Sequence, residues 1–231
     1  MLPFSKILEM IIYNRIKTHI TLYKILADEQ YGFRDYTSTD NAAYNLLLNI
    51  TTALNNKQIV GGIFCDLSKA FDCINSEILL SKLELYGIKG IFGTLLKSYL
   101  NERYQRVVIK DTTNNPTYSD WKLVKHGVPQ DAILSALLLL LYINDLPLAI
   151  GKNARPILYA DDTSIIIVNP NPSPFANNIN ETLTAVNTLF KTNQLSLNLD
   201  KTTFLQFRTK NSQKLDFNIL LSKDQILKNL I

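Results

Sequence analysis

The stretch ILYADDTSIIIV, residues 157–168, constrains the fold of this chain more than any other. Two apolar runs, 157–159 and 165–168, flank the acidic pair Asp161 and Asp162. The β-branched residues favour strands and the polar residues 161–164 favour a tight turn, so the sequence predicts a β-hairpin with its acids in the turn. Considered alone, an acidic pair of this kind is most often a solvated loop tip.

A second acidic stretch, GGIFCDLSKAFD at residues 61–72, changes this interpretation. Residues 57–66 are predicted to form a strand, and Asp66 ends its apolar run. Two strands that end in carboxylates can hold them side by side only if their repulsion is cancelled, which a divalent cation does. The alternative for Asp66 is a strand-end or helix-capping role.

Several motifs occur here in the order and at the rough spacing found in reverse transcriptases: FCDLSKAFD, GVPQDAILS, YADD and LSLNLDKT. Together with KILEMIIYNRI and QYGFRDYTST, they make the chain resemble the polymerase of non-LTR retrotransposons of the jockey or LINE-like kind. The resemblance extends from about residue 4 to residue 207. YADD alone recurs by chance, but six ordered stretches are specific.

The resemblance implies an α+β fold, a polymerase palm with a small antiparallel sheet backed by helices and a partial fingers lobe. Residues 1–56 would form the partial, helical fingers and residues 57–208 the palm. Residues 209–231 would be a C-terminal remnant, with the thumb absent or incomplete. The basic strand and loop that precede the first helix in the family are expected to be missing.

The implied activity is that of an RNA-directed DNA polymerase, which adds deoxynucleotides to a primer 3′-hydroxyl. Asp66 and Asp161 would hold two Mg²⁺ ions, with Mn²⁺ as an alternative, and Asp162 would support the site. The implied partners are an RNA template, a DNA primer and deoxynucleoside triphosphates.

Four further residues match positions that the family places near substrate. Phe71 would pack against the sugar and exclude a 2′-hydroxyl, and Gln130 would lie near the template base and the nucleotide. Lys201 would protonate the leaving pyrophosphate, and Arg34 would lie in the fingers near substrate and template. The plainer alternatives are a core ring for Phe71 and surface charges for Lys201 and Arg34.

Asp131 departs from the family, which has Gly after the Gln of this loop. A carboxylate there would repel phosphates, or would simply cap the following helix. Two other functional classes therefore stay open. One is a decayed or truncated copy that retains the palm without catalysis, and the other is a nucleic-acid-binding module.

Composition agrees with a globular chain that binds a polyanion. Of 231 residues, 46% are hydrophobic and 19% charged, and the formal net charge is +4. Cys65 and Cys73 are interpreted as lone thiols of an intracellular protein, with no disulfide partner. The apolar run 132–143 is short for a bilayer and is predicted to be a buried helix, so no membrane partner is expected.

Periodicity and turn residues predict the remaining elements. Trp121 is expected to lie in the core or to cover a hairpin formed by strands 106–110 and 120–124. Asp72 is expected to cap the helix 77–86 together with Asn75 and Ser76. Thr37, Ser38 or Thr39 is expected to cap the second helix, and Pro147 is expected to end the fifth. The predicted helices are 4–27, 40–55, 77–86, 91–100, 132–145 and 173–194.

Overall fold

The computed structural model describes residues 3–110, 112, 114–129 and 132–210, and the backbone of three short strands after residue 219. The helices are α1 (Pro3–Leu22), α2 (Thr39–Asn55), α3 (Ala70–Cys73), α4 (Ser76–Leu85), α5 (Ile91–Leu100), α6 (Ile133–Tyr142), α7 (Leu146–Ile150) and α8 (Pro172–Thr192). The strands are β1 (Ile59–Cys65), β2 (Arg103–Gln105), β3 (Val108–Lys110), β4 (Pro116–Tyr118), β5 (Lys122–Val124), β6 (Ala154–Tyr159), β7 (Asp162–Asn169), β8 (Thr203–Phe207), β9 (Leu220–Ser222), β10 (Gln225–Ile226) and β11 (Asn229–Leu230).

The main sheet has the strand order β11–β8–β1–β7–β6. Its pairs are antiparallel except for β11, which runs parallel to β8. Helices pack against this sheet, so the predicted α+β class is confirmed. The division of the chain into fingers, palm and C-terminal remnant stays a prediction.

The hairpin turn lies earlier than the sequence suggested. β7 already begins at Asp162, which pairs with Tyr159, so the turn consists of Ala160 and Asp161. Thr163 is buried and pairs with Cys65 of β1, which keeps this part of the DDTS stretch extended. Ala160 has a φ of 57° and takes the left-handed turn position.

Period-two alternation along β1 and β7 gives the sheet two apolar faces. Ile63 and Ile165 point into the larger core, where the apolar sides of α6 and α8 pack. Val60 and Ile166 point to the other face, against buried residues of α2. The sheet therefore lies between helices, and its strand ends are the edge left for a site.

Most helix boundaries follow the predicted signals. The Ser38 hydroxyl caps α2, and the Asn75 side chain caps α4 by accepting from the backbone N–H groups of Glu77 and Ile78. Asp72 lies earlier, inside α3. α1 ends at Leu22, five residues before the predicted end.

Pro147 does not end a helix as predicted. It lies in the first turn of α7, where its missing N–H is not needed, and α6 ends before it at Tyr142. By length and apolar composition the window Ile133–Ile150 could cross a membrane. In this structure 67% of the window is buried, so core packing accounts for its apolar character.

Strands β2–β5 form a ribbon whose pairing differs from the prediction. β3 pairs with β4 and β2 pairs with β5, so residues 108–110 lie opposite 116–118 and not opposite 120–124. Trp121 is 60% exposed, which excludes a core position. It does cover part of the hairpin, because the Arg106 guanidinium packs against its ring.

Candidate active site

The β1–β7 register brings two of the predicted acids together. The last pair in the ladder is Cys65 with Thr163, so Asp66 and Asp162 occupy the next opposed position. Opposed residues of an antiparallel pair have Cβ atoms about 4.5–5.5 Å apart. Two carboxylates separated by almost 100 positions in the sequence therefore become neighbours at one end of the sheet.

Asp161, in the β6–β7 turn, adds a third carboxylate beside this pair. Burial raises the pKa of the Asp162 carboxyl above its usual value, and the negative charges of Asp161 and Asp66 raise this pKa further. The nearby Lys201 ammonium acts in the opposite direction and lowers it. The acids thus form a cluster of negative charge that one lysine only partly offsets.

Lys201 reaches the cluster because residues 196–198 run alongside residues 66–68. Ser68 N–H donates to the Ser196 carbonyl, and Asn198 N–H donates to the Asp66 carbonyl, each at 2.9 Å. Lys201 Nζ then lies 3.5 Å from Asp66 Oδ2. The lysine side chain is 67% exposed, so it can also face a ligand from solvent.

The GVP loop, residues 127–129, is docked on α3 behind Phe71. Val128 N–H donates to the Phe71 carbonyl at 2.9 Å, and Gly127 N–H donates to the Ile74 carbonyl at 2.7 Å. Gly127 has a φ of 80°, and a Cβ on it would lie 2.8 Å from the Asp72 Cα. Only glycine allows this approach, which joins the loop to the helix that carries Phe71.

The Phe71 ring is partly buried against the larger core. This agrees with the core alternative and leaves its contact with a sugar as a prediction. Gln130 and Asp131 lie outside the described residues, so their predicted roles also stay predictions.

Arg34 makes local contacts. Its Nη1 donates to the Ala27 carbonyl at 2.9 Å, and its Nη2 lies 3.5 Å from Asp28 Oδ1. It lines a cavity of about 820 Å³ between α1, the 23–36 loop and α7. These bonds hold the loop in shape, and a role of Arg34 near substrate stays a prediction.

Gln30 and Gly32 support the acidic hairpin and were not singled out from the sequence. Leu158 N–H donates to the Glu29 carbonyl at 2.9 Å, and Tyr31 N–H donates to the Leu158 carbonyl at 2.8 Å. Gln30 is fully buried, and Gly32 lies against the hairpin turn. The sequence signal that could have indicated them is QYGF, residues 30–33, in which Gln30 and Gly32 flank the aromatic Tyr31.

The acid cluster fits the divalent cations that the sequence implied. Mg²⁺ is usually held by one or two carboxylates, with substrate phosphates and waters completing its shell. Within the part of the chain that the structure describes, no three His, Cys, Asp or Glu side chains form a ready-made metal cage. The resemblance suggested Asp66 and Asp161 as the ligands, and both carboxylates lie close enough to Asp162 for their charges to raise its pKa.

The sheet carries acids at the ends of the adjacent strands β1 and β7, and the turn of the β6–β7 hairpin adds a third. With helices packed behind the sheet, this arrangement defines the palm class of nucleic-acid polymerases. Comparison with known families identifies the particular one. The model described as reverse transcriptase (RNA-dependent DNA polymerase) matches residues 2–220, and the chain belongs to this family.

Curated relatives agree. The chain is 31% identical over 204 residues to the probable RNA-directed DNA polymerase from transposon BS of Drosophila melanogaster. This match covers 86% of the chain and 22% of the relative. The chain is also 28% identical over 168 residues to the RNA-directed DNA polymerase from mobile element jockey of the same species. That match covers 70% of the chain and 18% of the relative. The chain thus spans about a fifth of the length of these relatives.

Solved structures share the fold. Telomerase from Candida tropicalis, in complex with a fragment of telomeric RNA, matches with a TM-score of 0.59 at 14% identity, covering 94% of this chain and 35% of that one. The apo telomerase of the same species matches with a TM-score of 0.61 at 12% identity, covering 87% and 37%. At such low identity the likeness concerns the fold alone.

Proposed function

We propose that this chain is the reverse transcriptase domain of a non-LTR mobile element. In this proposal it adds deoxynucleotides to the 3′-hydroxyl of a DNA primer along an RNA template. The observation that carries the proposal is the opposed placement of Asp66 and Asp162 beside Asp161, with Lys201 3.5 Å from Asp66. Family membership supports the substrate class.

Asp66 and Asp161 would hold the metal ions. When bound, Mg²⁺ would lower the pKa of the primer 3′-hydroxyl and neutralise the charge that develops on the leaving pyrophosphate. The pKa of the Asp162 carboxyl is raised by burial and by the charges of Asp161 and Asp66, so this carboxylate is closely coupled to the other two. Its role would be to complete the negative field that keeps the cations in place.

Lys201 would act on the leaving group. The ion pair with Asp66 orients the Lys201 ammonium towards the acid cluster. Because the lysine side chain is still exposed, the ammonium can also contact phosphates that enter from solvent. It can donate a proton to the pyrophosphate oxygen as the bond to the α-phosphorus breaks. Phe71, tied to the GVP loop through the Val128 N–H, would exclude a 2′-hydroxyl by its bulk.

Primer extension by the full chain on an RNA template with Mg²⁺ tests the proposal. The wild-type chain should extend the primer, and Asp66→Asn and Asp161→Asn should slow extension by about 100-fold or more, as expected for loss of a charge acting on a transition state. Glu181→Gln, which removes an exposed carboxylate from α8, is the matched control and should leave extension unchanged.

The alternative is a palm that binds nucleic acid without catalysis. It predicts template–primer binding with no extension in Mg²⁺ or Mn²⁺, and equal binding by the wild-type and Asp161→Asn chains. Extension that persists in Asp66→Asn and Asp161→Asn at the wild-type rate would contradict the assignment of these acids.

A further inference from the structure

The β2–β5 ribbon, residues 103–124, leaves large apolar side chains in solvent. Tyr104, Val107, Ile109 and Trp121 are each between 60% and 66% exposed. A two-stranded ribbon with both faces in water gains little stability from its own packing. Several large apolar side chains exposed on one short element suggest an interaction site.

At the centre of the ribbon, the Arg106 side chain stacks on two aromatic rings. The Arg106 guanidinium carbon lies 4.1 Å from the centroid of the Tyr118 ring and 4.7 Å from that of the Trp121 ring. Both rings stay half-exposed or more, so each keeps surface on which a flat group can stack. Among the described residues no hydrogen bond or ion pair engages the Arg106 N–H groups, which leaves them to bind an oxyanion.

The charge around this stack selects the partner. Residues 103–126 contain five Lys and Arg against two Asp. Arg106, Lys110, Lys122 and Lys125 form none of the ion pairs found within the described ranges. Aromatic faces between unpaired cations match a chain of bases joined by phosphates.

We propose that the ribbon binds a single strand of nucleic acid outside the catalytic centre. Bases stack on Tyr118 and Trp121, and phosphates contact Arg106 and the neighbouring lysines. The proposal rests on the proposed function for the choice of the template as that strand. A second copy of the chain fits less well, because docking two such ribbons would bring unpaired cations together.

The ribbon is connected to the candidate active site through its base. Arg103, which opens β2, donates to the Gly127 and His126 carbonyls and to the Leu100 carbonyl. The GVP loop bonds in turn to α3, the helix of Phe71. The base of the ribbon is therefore bonded to the same loop that contacts the helix of Phe71.

The experiment uses Trp121 as the probe, because it is the single tryptophan of the chain. The full chain is titrated in EDTA with an oligothymidylate and, separately, with an oligouridylate. Each has about 12 nucleotides, a length within the site sizes of known single-strand-binding proteins. Tryptophan fluorescence should be quenched, and the Kd should rise steeply with salt. Binding should be retained in EDTA because it needs no metal, and Glu181→Gln in α8 should bind equally well.

Two variants and two matched controls locate the binding. Arg106→Gln should weaken binding about 5-fold or more and lower the salt slope by about 1. Tyr118→Ala should also weaken it about 5-fold or more. Lys89→Gln and Tyr44→Ala remove an exposed lysine and an exposed tyrosine elsewhere, and both should bind like the wild type.

The outcomes separate this inference from the proposed function. Unquenched Trp121 at saturating oligonucleotide, or an unchanged Kd in both Arg106→Gln and Tyr118→Ala, overturns the ribbon inference even if the chain extends primers. Self-association lost in Tyr118→Ala would assign the ribbon to a second copy instead. Quenching that depends on Arg106 and Tyr118, in a chain that extends no primer, retains the ribbon and refutes the polymerase proposal.

Folding of each variant is checked by circular dichroism and a thermal melt. If Tyr118→Ala is unfolded, Trp121→Phe takes its place, with binding followed by the anisotropy of a labelled oligonucleotide. Wild-type affinity in both Trp121→Phe and Arg106→Gln would overturn the proposal.

Discussion

The backbone of Gly32 lies directly against the backbone of Ala160, the residue that opens the turn of the acidic hairpin. A Cβ on Gly32 would lie 2.4 Å from the Ala160 nitrogen. Gln30, two residues earlier, is fully buried and donates from Nε2 to the Leu140 carbonyl and to Asn144 Oδ1, each at 2.9 Å. The 29–32 segment thus supports the position of Asp161 from outside the sheet.

We expect Gly32→Ala to displace this turn. The added methyl group meets backbone, which cannot rotate away, so unfolding should become easier by about 1–3 kcal/mol. Urea denaturation measures the stability, and primer extension should fall because Asp161 moves. Gly93→Ala in α5 is the matched control: its Cβ would lie 3.5 Å from the Ile88 carbonyl oxygen, which is an ordinary van der Waals contact. Equal stability of the Gly32 variant and the wild type would contradict the packing described.

Phe71→Val should admit ribonucleotides. The valine lacks the bulk that would clash with a 2′-hydroxyl, so the ratio of kcat/KM for deoxynucleotides over ribonucleotides should fall about 10-fold or more. Phe64→Val, which shortens a partly buried ring of β1 instead, controls for loosened packing. Selectivity that is the same in both variants would leave Phe71 as a core residue only.

Lys201→Met should slow catalysis without lowering stability. The ion pair with Asp66 is largely exposed on the lysine side and contributes less than about 1 kcal/mol to folding. Loss of a general acid lowers the rate about 10²–10⁴-fold. Single-turnover extension and a thermal melt report the two effects, with Lys191→Met in α8 as control. A lowered melting temperature with unchanged extension would make Lys201 structural.

Cys65 should resist alkylation in the folded chain. Burial in β1 raises the pKa of its thiol to about 12, so about one molecule in 10⁴ carries the reactive thiolate at pH 8. Cys73 is only partly buried and should react first. Mass spectrometry after iodoacetamide treatment should show one modified thiol in native buffer and two in urea. The variants Cys65→Ala and Cys73→Ala assign them, and equal native rates would argue against the buried β1.

Much of the fold followed from local patterns. Ser38 and Asn75 are caps in the structure as their sequence positions suggested, because capping depends on a side chain and the next few N–H groups. Local patterns failed at the β3–β4 pairing and at Pro147, where strand register and the neighbouring helix end decided the outcome.

The sequence by itself determined that Asp66 and Asp161 follow or join strands, and that the motifs resemble those of reverse transcriptases. Only the tertiary structure placed Asp66 opposite Asp162, Lys201 beside Asp66 and Gly32 under Ala160. These contacts join residues far apart in the chain. They depend on strand register and close packing, which are set by the whole core and not by any local run of residues.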